Sequence, residues 1–234
     1  MARIILVGGG SSSGKSYVTT TVIKNLNTDE ITRITIDDFY KPLDDMSMEE
    51  RAKVNYDHPK AFDWKLIRKQ ISDLKNDKPI DKPIYDFTIH NRTKETETIV
   101  PKKIVVVEGI MALVDKDLRK LGDLKIFITA TPEVRFLRRF IRDHSERKRS
   151  YESIVKQYLT TVAPMYEEIV KPSSNYADLI INNDGIENNA MDVLSCVFKD
   201  QLEKAKDGKE YHNKPSEEFS EEILNKVFQE PTKK

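Results

Sequence analysis

Gly9-Gly10-Ser11-Ser12-Ser13-Gly14-Lys15-Ser16 stands near the start of this 234-residue chain and decides how the rest is read. It satisfies G-x-x-x-x-G-K-[ST] in full. Before it, Ile4 to Val7 is a short apolar run with the character of a strand; after it, Val18, Val22, Ile23 and Leu26 recur on one side of a helix. Strand, loop and helix in that order give the motif its physical meaning. Small residues let successive backbone N–H groups turn inward around phosphate oxygens. The helix presents its positive end to the same anion. Lys15 adds a mobile cation for the β- and γ-phosphates, and the Ser16 hydroxyl is suited to Mg²⁺. A chance serine-rich loop does not account for this context.

Further along, Ile31 to Ile36 reads as a second strand ending at Asp37-Asp38, and Val105 to Val107 as a buried strand ending at Glu108-Gly109. Leu124 to Thr129 and Leu179 to Ile181 complete the set. Strands alternating with helical periodicity predict an α/β fold. The expected architecture is the P-loop NTPase three-layer αβα sandwich around a five-stranded parallel sheet. Residues 1–205 form the main domain in this reading. An insert at about 39–100 holds a helix near Asp63 to Leu74 and two β-like runs, Pro83 to Ile89 and Thr96 to Val100, which read as a projecting hairpin. A lid is expected at about 132–165, starting at Thr131-Pro132-Glu133, a good helix start. Pro164 is expected to kink or break the helix that begins near Tyr151. Ile186 to Ala205 reads as a helix with Ala190, Val193, Val197 and Leu202 inward. In the charged 206–234 tail, Phe219, Ile223, Leu224 and Val227 suit a short docking helix or a mobile end equally.

Composition narrows the partners. Thirty-nine basic side chains balance 39 acidic ones, so no overall field draws the chain to nucleic acid or membrane. Cys196 is the single cysteine, which suits a reducing compartment. The longest apolar run, Ile104 to Val114, is interrupted by Glu108 and falls short of the ~20 residues that span a bilayer. A soluble cytoplasmic protein is expected.

The phosphate loop does not name the reaction. A Ras-type N-K-x-D motif fails at Asn213-Lys214-Pro215-Ser216, and no L-S-G-G-Q signature is present. A small-molecule kinase or a nucleotide-dependent switch is left. Asp37, at a strand end facing the ligand crevice, is placed to orient a hydroxyl for in-line attack and take its proton; the plainer reading is a turn former. Glu108 suits Mg²⁺ or its water shell, against a capping role. Arg135, Arg138, Arg139 and Arg142 recur on one helix face, with Val134, Leu137 and Ile141 opposite, and Arg147 and Arg149 follow. A solvated basic face is the ordinary explanation; in this setting a clamp on transferred phosphate is the alternative.

Taken in order, these pieces resemble the uridine kinase (uridine–cytidine kinase) family over roughly residues 3 to 184. The signatures are Asp37-Asp38-Phe39-Tyr40, Asn55-Tyr56-Asp57-His58-Pro59, Pro83-Ile84-Tyr85-Asp86-Phe87 continuing to His90 and Arg92, Val107-Glu108-Gly109-Ile110, Arg138-Arg139 to Arg142-Asp143, and Tyr176-Ala177-Asp178. The resemblance implies transfer of the γ-phosphate of ATP or GTP, with Mg²⁺, to the 5′-hydroxyl of uridine or cytidine. It implies Asp37 as base and Asp57 as acceptor for the ribose 2′- and 3′-hydroxyls, helped by Arg139 and Gln157. Tyr40, Tyr56 and Tyr85 would wall the base, and His90 and Arg149 would read its polar edge. Arg142 and Arg147 match lid arginines that hold phosphate oxygens, and a homo-oligomer, commonly a tetramer, is implied. Related kinases of phosphoribulose, pantothenate or nicotinamide riboside, or a non-catalytic nucleotide sensor, are the alternatives. One departure concerns the lid turn, usually R-G-R-D, which here reads Arg147-Lys148-Arg149-Ser150; the missing glycine restricts positive φ there.

Overall fold

The first strand, β1 (Arg3–Gly8), is buried along nearly its whole length, as a parallel strand covered on both faces must be. Ile4 and Leu6 point into one core and Ile5 and Val7 into the other. The computed structural model describes residues 1–185 and 190–208. After the phosphate loop come α1 (Lys15–Leu26) and β2 (Ile31–Thr35). The insert contributes α2 (Met48–Arg51), α3 (Trp64–Lys75), β3 (Ile80–Asp86) and β4 (Asn91–Ile99). Then follow β5 (Ile104–Glu108), α4 (Lys116–Leu121), β6 (Leu124–Thr129), α5 (Pro132–Ser145), α6 (Tyr151–Gln157), α7 (Ala163–Met165), β7 (Leu179–Asn182) and α8 (Ala190–Asp207).

The main sheet runs β2-β5-β1-β6-β7, with every pair parallel. The chain leaves β1 toward β2 and β5 on one side and later crosses to β6 and β7 on the other. The crevice at the carboxyl end of β1 is therefore the switch point where open α/β sheets bind ligands. The phosphate loop lies there. α1 and α8 pack one face of the sheet through Val18, Val22, Leu194 and Phe198. The other face is covered through Ile67, Ile71 and Leu74 of α3 and by Tyr166 and Val170. β3 and β4 form a separate antiparallel hairpin, as expected. β4 begins at Asn91, five residues ahead of the expected Thr96, and its residues 94–98 are exposed on both faces, so no apolar alternation marks it in the sequence.

Three expectations are corrected. Of the kink or break expected at Pro164, the break does not occur. Helical turns continue from Tyr151 to Tyr176, with π-type turns at Tyr158–Val162 and Tyr166–Val170 on either side of α7. The Ala163 N–H bonds Tyr158 O, so a widened turn absorbs the bonding pattern that the proline disturbs. α8 buries Leu194, Phe198, Gln201 and Leu202, while Val193 is half exposed; its inner face is rotated by one residue from the expected one. Its first expected residues and the proposed tail helix lie outside the described residues. On α5 the polarity is inverted. Arg135 and Arg139 are buried, and Leu137 and Ile141 are exposed. The short helices α2 and α4 went unread in the sequence, although Ser47 with Glu50 makes a capping box and Asp115 caps α4.

Gly109, directly after β5, touches the turn that follows β2. A Cβ there would lie 2.1 Å from Ile36 Cγ1 and 3.5 Å from Asp37 Oδ1. Gly109→Ala is expected to destabilise the fold by about 1–3 kcal/mol through overpacking. A urea midpoint equal to that of the unsubstituted protein would contradict this contact.

Candidate active site

The phosphate loop closes on itself. Ser13 N–H donates to Gly10 O at 3.1 Å, and Lys15 Nζ donates to Gly9 O at 3.0 Å and Gly10 O at 2.8 Å. Gly14 takes φ 94°, and a Cβ on it would meet Asn183 Nδ2 at 2.1 Å. That amide donates to Ser13 O at 2.8 Å, tying the loop to the end of β7. Only glycine satisfies both demands. Burial holds the Lys15 ammonium down to about 8, opposed by the nearby carboxylates of Asp37 and Glu108.

Asp37 lies in the 3₁₀ turn Ile36–Phe39, one step past β2, where Thr35 Oγ1 accepts its backbone N–H at 3.3 Å. Its Oδ1 is buried and takes no hydrogen bond within the described residues. Burial pushes this carboxyl up to about 6, against the pull of Lys15. A cavity of about 320 Å³ is lined by Lys15, Ser16, Asp37, Glu108, Arg138 and Arg142, among others. A separate cavity of about 330 Å³ beside Leu43, Met46, Val54 and Tyr56 shares none of that lining.

Glu108 is buried, and both its oxygens are engaged. Arg33 of β2 ion-pairs with Oε1, and the Thr19 hydroxyl donates to Oε2 at 3.1 Å. The sequence did not mark Arg33 or Thr19. Among the described residues there is no cluster of three or more His, Cys, Asp or Glu suited to a metal. The donors that line the cavity are hard oxygens, from Ser16, Asp37 and Glu108. Such a set suits Mg²⁺, which takes few protein ligands beside substrate phosphates.

Aromatic rings crowd the side next to Asp37. Tyr40 lies 5.1 Å from Tyr56 and 5.0 Å from Tyr85, measured between ring centroids. His90 stacks on Tyr56 at 5.7 Å, and Phe87 meets Tyr85 edge-on at 5.0 Å. All five residues fall within the 39–100 stretch, Tyr40 directly after the Asp37 turn. His90 sits at the hairpin bend with φ 49°. Burial, and then the charges of Arg149 and Arg147, hold its imidazolium pKa below the ordinary value, so the ring is neutral near pH 7. Burial likewise pushes the Asp57 carboxyl up, opposed first by Arg139 and then by Lys15.

The arginines converge on one acid. Asp143 has no exposed side-chain surface and lies within ion-pair distance of Arg139 (3.4 Å), Arg142 (2.8 Å), Arg147 (3.5 Å) and Arg149 (3.4 Å). Burial works to raise its pKa, but the arginines together hold it below the ordinary range. Arg139 also donates to Ser11 Oγ at 2.7 Å and to Gln157 Oε1 at 2.8 Å, which joins the lid to the phosphate loop. Arg147 lies over the Phe87 ring at 4.8 Å, lid against hairpin. Arg149 bonds Gln157 and Ser153 Oγ, so its side chain is held within the lid. Arg138 Nη1 is buried without a hydrogen-bond partner among the described residues. Asp143 and Phe87 stand within sequence signatures, but no local pattern gives either a role.

Residues 4–190 match the family described as Phosphoribulokinase / Uridine kinase. The chain belongs to that family. It is 42% identical over 205 residues to a uridine kinase of Clostridium tetani, covering 87% of this chain and 98% of that one. With a uridine kinase of Ligilactobacillus salivarius the identity is 43% over 201 residues, 86% and 94% of the two chains. Phosphoribulokinase from Rhodobacter spheroides shares the fold, with a TM-score of 0.58 at 15% identity over 80% of this chain and 72% of that one. No helix among the described residues is long and apolar enough to cross a membrane.

Within this kinase family the lid turn now has a physical account. Lys148 takes φ 55°, the left-handed conformation a glycine would adopt there at no steric cost. Its Nζ donates to Ser145 O at 2.7 Å, partly offsetting the strain at the end of α5. Ser150 accepts the Ser153 N–H at 3.2 Å and caps α6, a task an aspartate would also perform. Asp143→Asn removes the one charge that four guanidinium groups share. It is expected to cost on the order of 3 kcal/mol of stability and to lower kcat. Unaltered urea unfolding together with unaltered turnover would show that the acid does not organise the lid.

Proposed function

We propose that this chain is a uridine kinase that transfers the γ-phosphate of ATP or GTP to the 5′-hydroxyl of uridine or cytidine. One observation carries the reading. The buried, unpartnered Oδ1 of Asp37 lies in one cavity with Lys15 of the phosphate loop, next to a wall of tyrosines closed by a neutral histidine. A buried acceptor without a donor is costly, and a substrate hydroxyl supplies that donor. The family's uridine kinases, more than 40% identical over most of this chain, support the same assignment.

The residues divide the work in a consistent way. Gly9 to Ser16 cradle the donor phosphates, with Lys15 on the β- and γ-oxygens. Asp37 aligns the 5′-hydroxyl for in-line attack and receives its proton as the bond to phosphorus forms. Arg142 and Arg147, held by Asp143, face the charge that spreads over the transferred group. Asp57 accepts from the ribose diol beside Arg139 and Gln157; Tyr40, Tyr56 and Tyr85 pack on the base, and His90 reads its edge. The position of Arg149 within the lid favours a supporting part over direct base contact. Ser16 and Glu108 are the groups that would hold Mg²⁺, which when bound would supply positive charge to offset that of the phosphates. Arg33 must share or release Glu108 for direct ligation.

Asp37→Asn is expected to lower kcat by about 10²–10⁴-fold, the usual loss of a general base, while Kd for ATP changes little. Full turnover in that variant would remove Asp37 from the mechanism. The pH dependence follows from the raised carboxyl. Asp37 acts as a base only when ionised, so kcat/KM for uridine should fall with acid through about pH 6. An acid limb near the ordinary aspartate value of about 4 would place the working carboxylate elsewhere.

A further inference from the structure

Asp38 follows the proposed base and is turned the other way. Its Oδ2 ion-pairs with Lys82 Nζ on β3, and the same ammonium lies 3.2 Å from Glu97 Oε2, its cross-strand partner on β4. Asp38 and Lys82 are 15% and 9% exposed at their side chains, so the pair is well shielded from water. A second tie lies farther along the hairpin. Arg92 Nη2 donates to Phe39 O at 3.0 Å, and Arg92 is the cross-strand partner of Tyr85. The hairpin is thus fastened to the Asp37 turn at two points, with Tyr85 directly opposite the second.

Two buried charges are an expensive way to gain stability, because an apolar pair of similar size often does as well or better. Charges do supply direction and register. Sliding β3 by one residue would turn Tyr85 to the opposite face. The distance that matters for an acceptor is the span from its reacting hydroxyl at Asp37 to its ring at Tyr85 and His90. Asp38 and Lys82 join the two pieces of chain that carry those ends.

We propose that Asp38 and Lys82 are a positioning pair that fixes this span and so selects acceptors of nucleoside length. The proposal rests on the uridine kinase reading for the acceptor's identity, but the tether itself is independent of it. Neither residue touches substrate; both act through the hairpin. Lys82→Met is expected to raise KM for uridine about tenfold, since small misplacements of a bound acceptor are costly, with KM for ATP changed less than twofold. The reversed pair, Asp38→Lys with Lys82→Asp, should recover most of the uridine KM. Equal changes in both KM values, or none, would overturn the proposal. Hydrogen exchange without substrate gives a separate reading. Amides of residues 83–86 and 91–93 should exchange faster in Lys82→Met, and unchanged exchange would overturn the tether. If the unsubstituted protein fails to phosphorylate uridine or cytidine, the functional reading is what fails, and exchange still decides the tether.

Discussion

Asp143 has no contact with water and sits among four guanidinium groups, and much of the site hangs on that arrangement. A buried carboxylate needs compensating charge, and guanidinium groups brought close together need an anion. Each requirement answers the other. Because one acid cannot neutralise four arginines, the cluster keeps a surplus of positive charge directed at the cavity beside the phosphate loop. Arg139 carries the arrangement to Ser11, so lid and loop behave as one electrostatic unit.

The same logic runs in reverse on the acceptor side. Lys15 is buried with Asp37 and Glu108 nearby, and burial moves the amine and the Asp37 carboxyl toward their neutral forms. Such opposed shifts are typical of groups prepared for chemistry at neutral pH. Glu108 differs from Asp37 in being fully occupied by Arg33 and Thr19. Two carboxylates at neighbouring strand ends therefore have different characters: one is free to accept a proton, the other is held in place.

The hairpin brings aromatic rings to this charged edge. Those at positions 85, 87 and 90 lie on the hairpin and Tyr56 precedes α3, all distant in sequence from the phosphate loop. Arg147 reaches across to the Phe87 ring, so the segment after α5 meets the hairpin. Arg139 to Ser11 and Lys82 to Asp38 tie the arginine cluster and the hairpin to the turns at the strand ends.

Local patterns were sufficient for much of this. Gly9 to Ser16 reads as a phosphate loop because its chemistry lies within eight consecutive residues. The inner strands were legible because parallel strands buried on both faces are written as apolar runs, while the edge strands β2 and β7 are buried only at alternate positions or in part. The α3 helix and the hairpin also declared themselves by period. What the sequence could not show depended on partners far away along the chain. On α5 the arginines turn inward and Leu137 and Ile141 outward, against the usual rule for amphipathic helices, because Asp143, Ser11 and Gln157 supply the inward side with polar partners. Pro164 passes without a break because widened turns surround it. Asp37 and Asp38 look equivalent in sequence, and only Lys82, 44 residues beyond Asp38, separates a free carboxylate from a paired one. The sequence by itself determined the sheet and the phosphate cradle, whose causes are local backbone geometry and burial. The tertiary structure decided which charges are shared and which are left available, since that depends on distances across elements that no local pattern records.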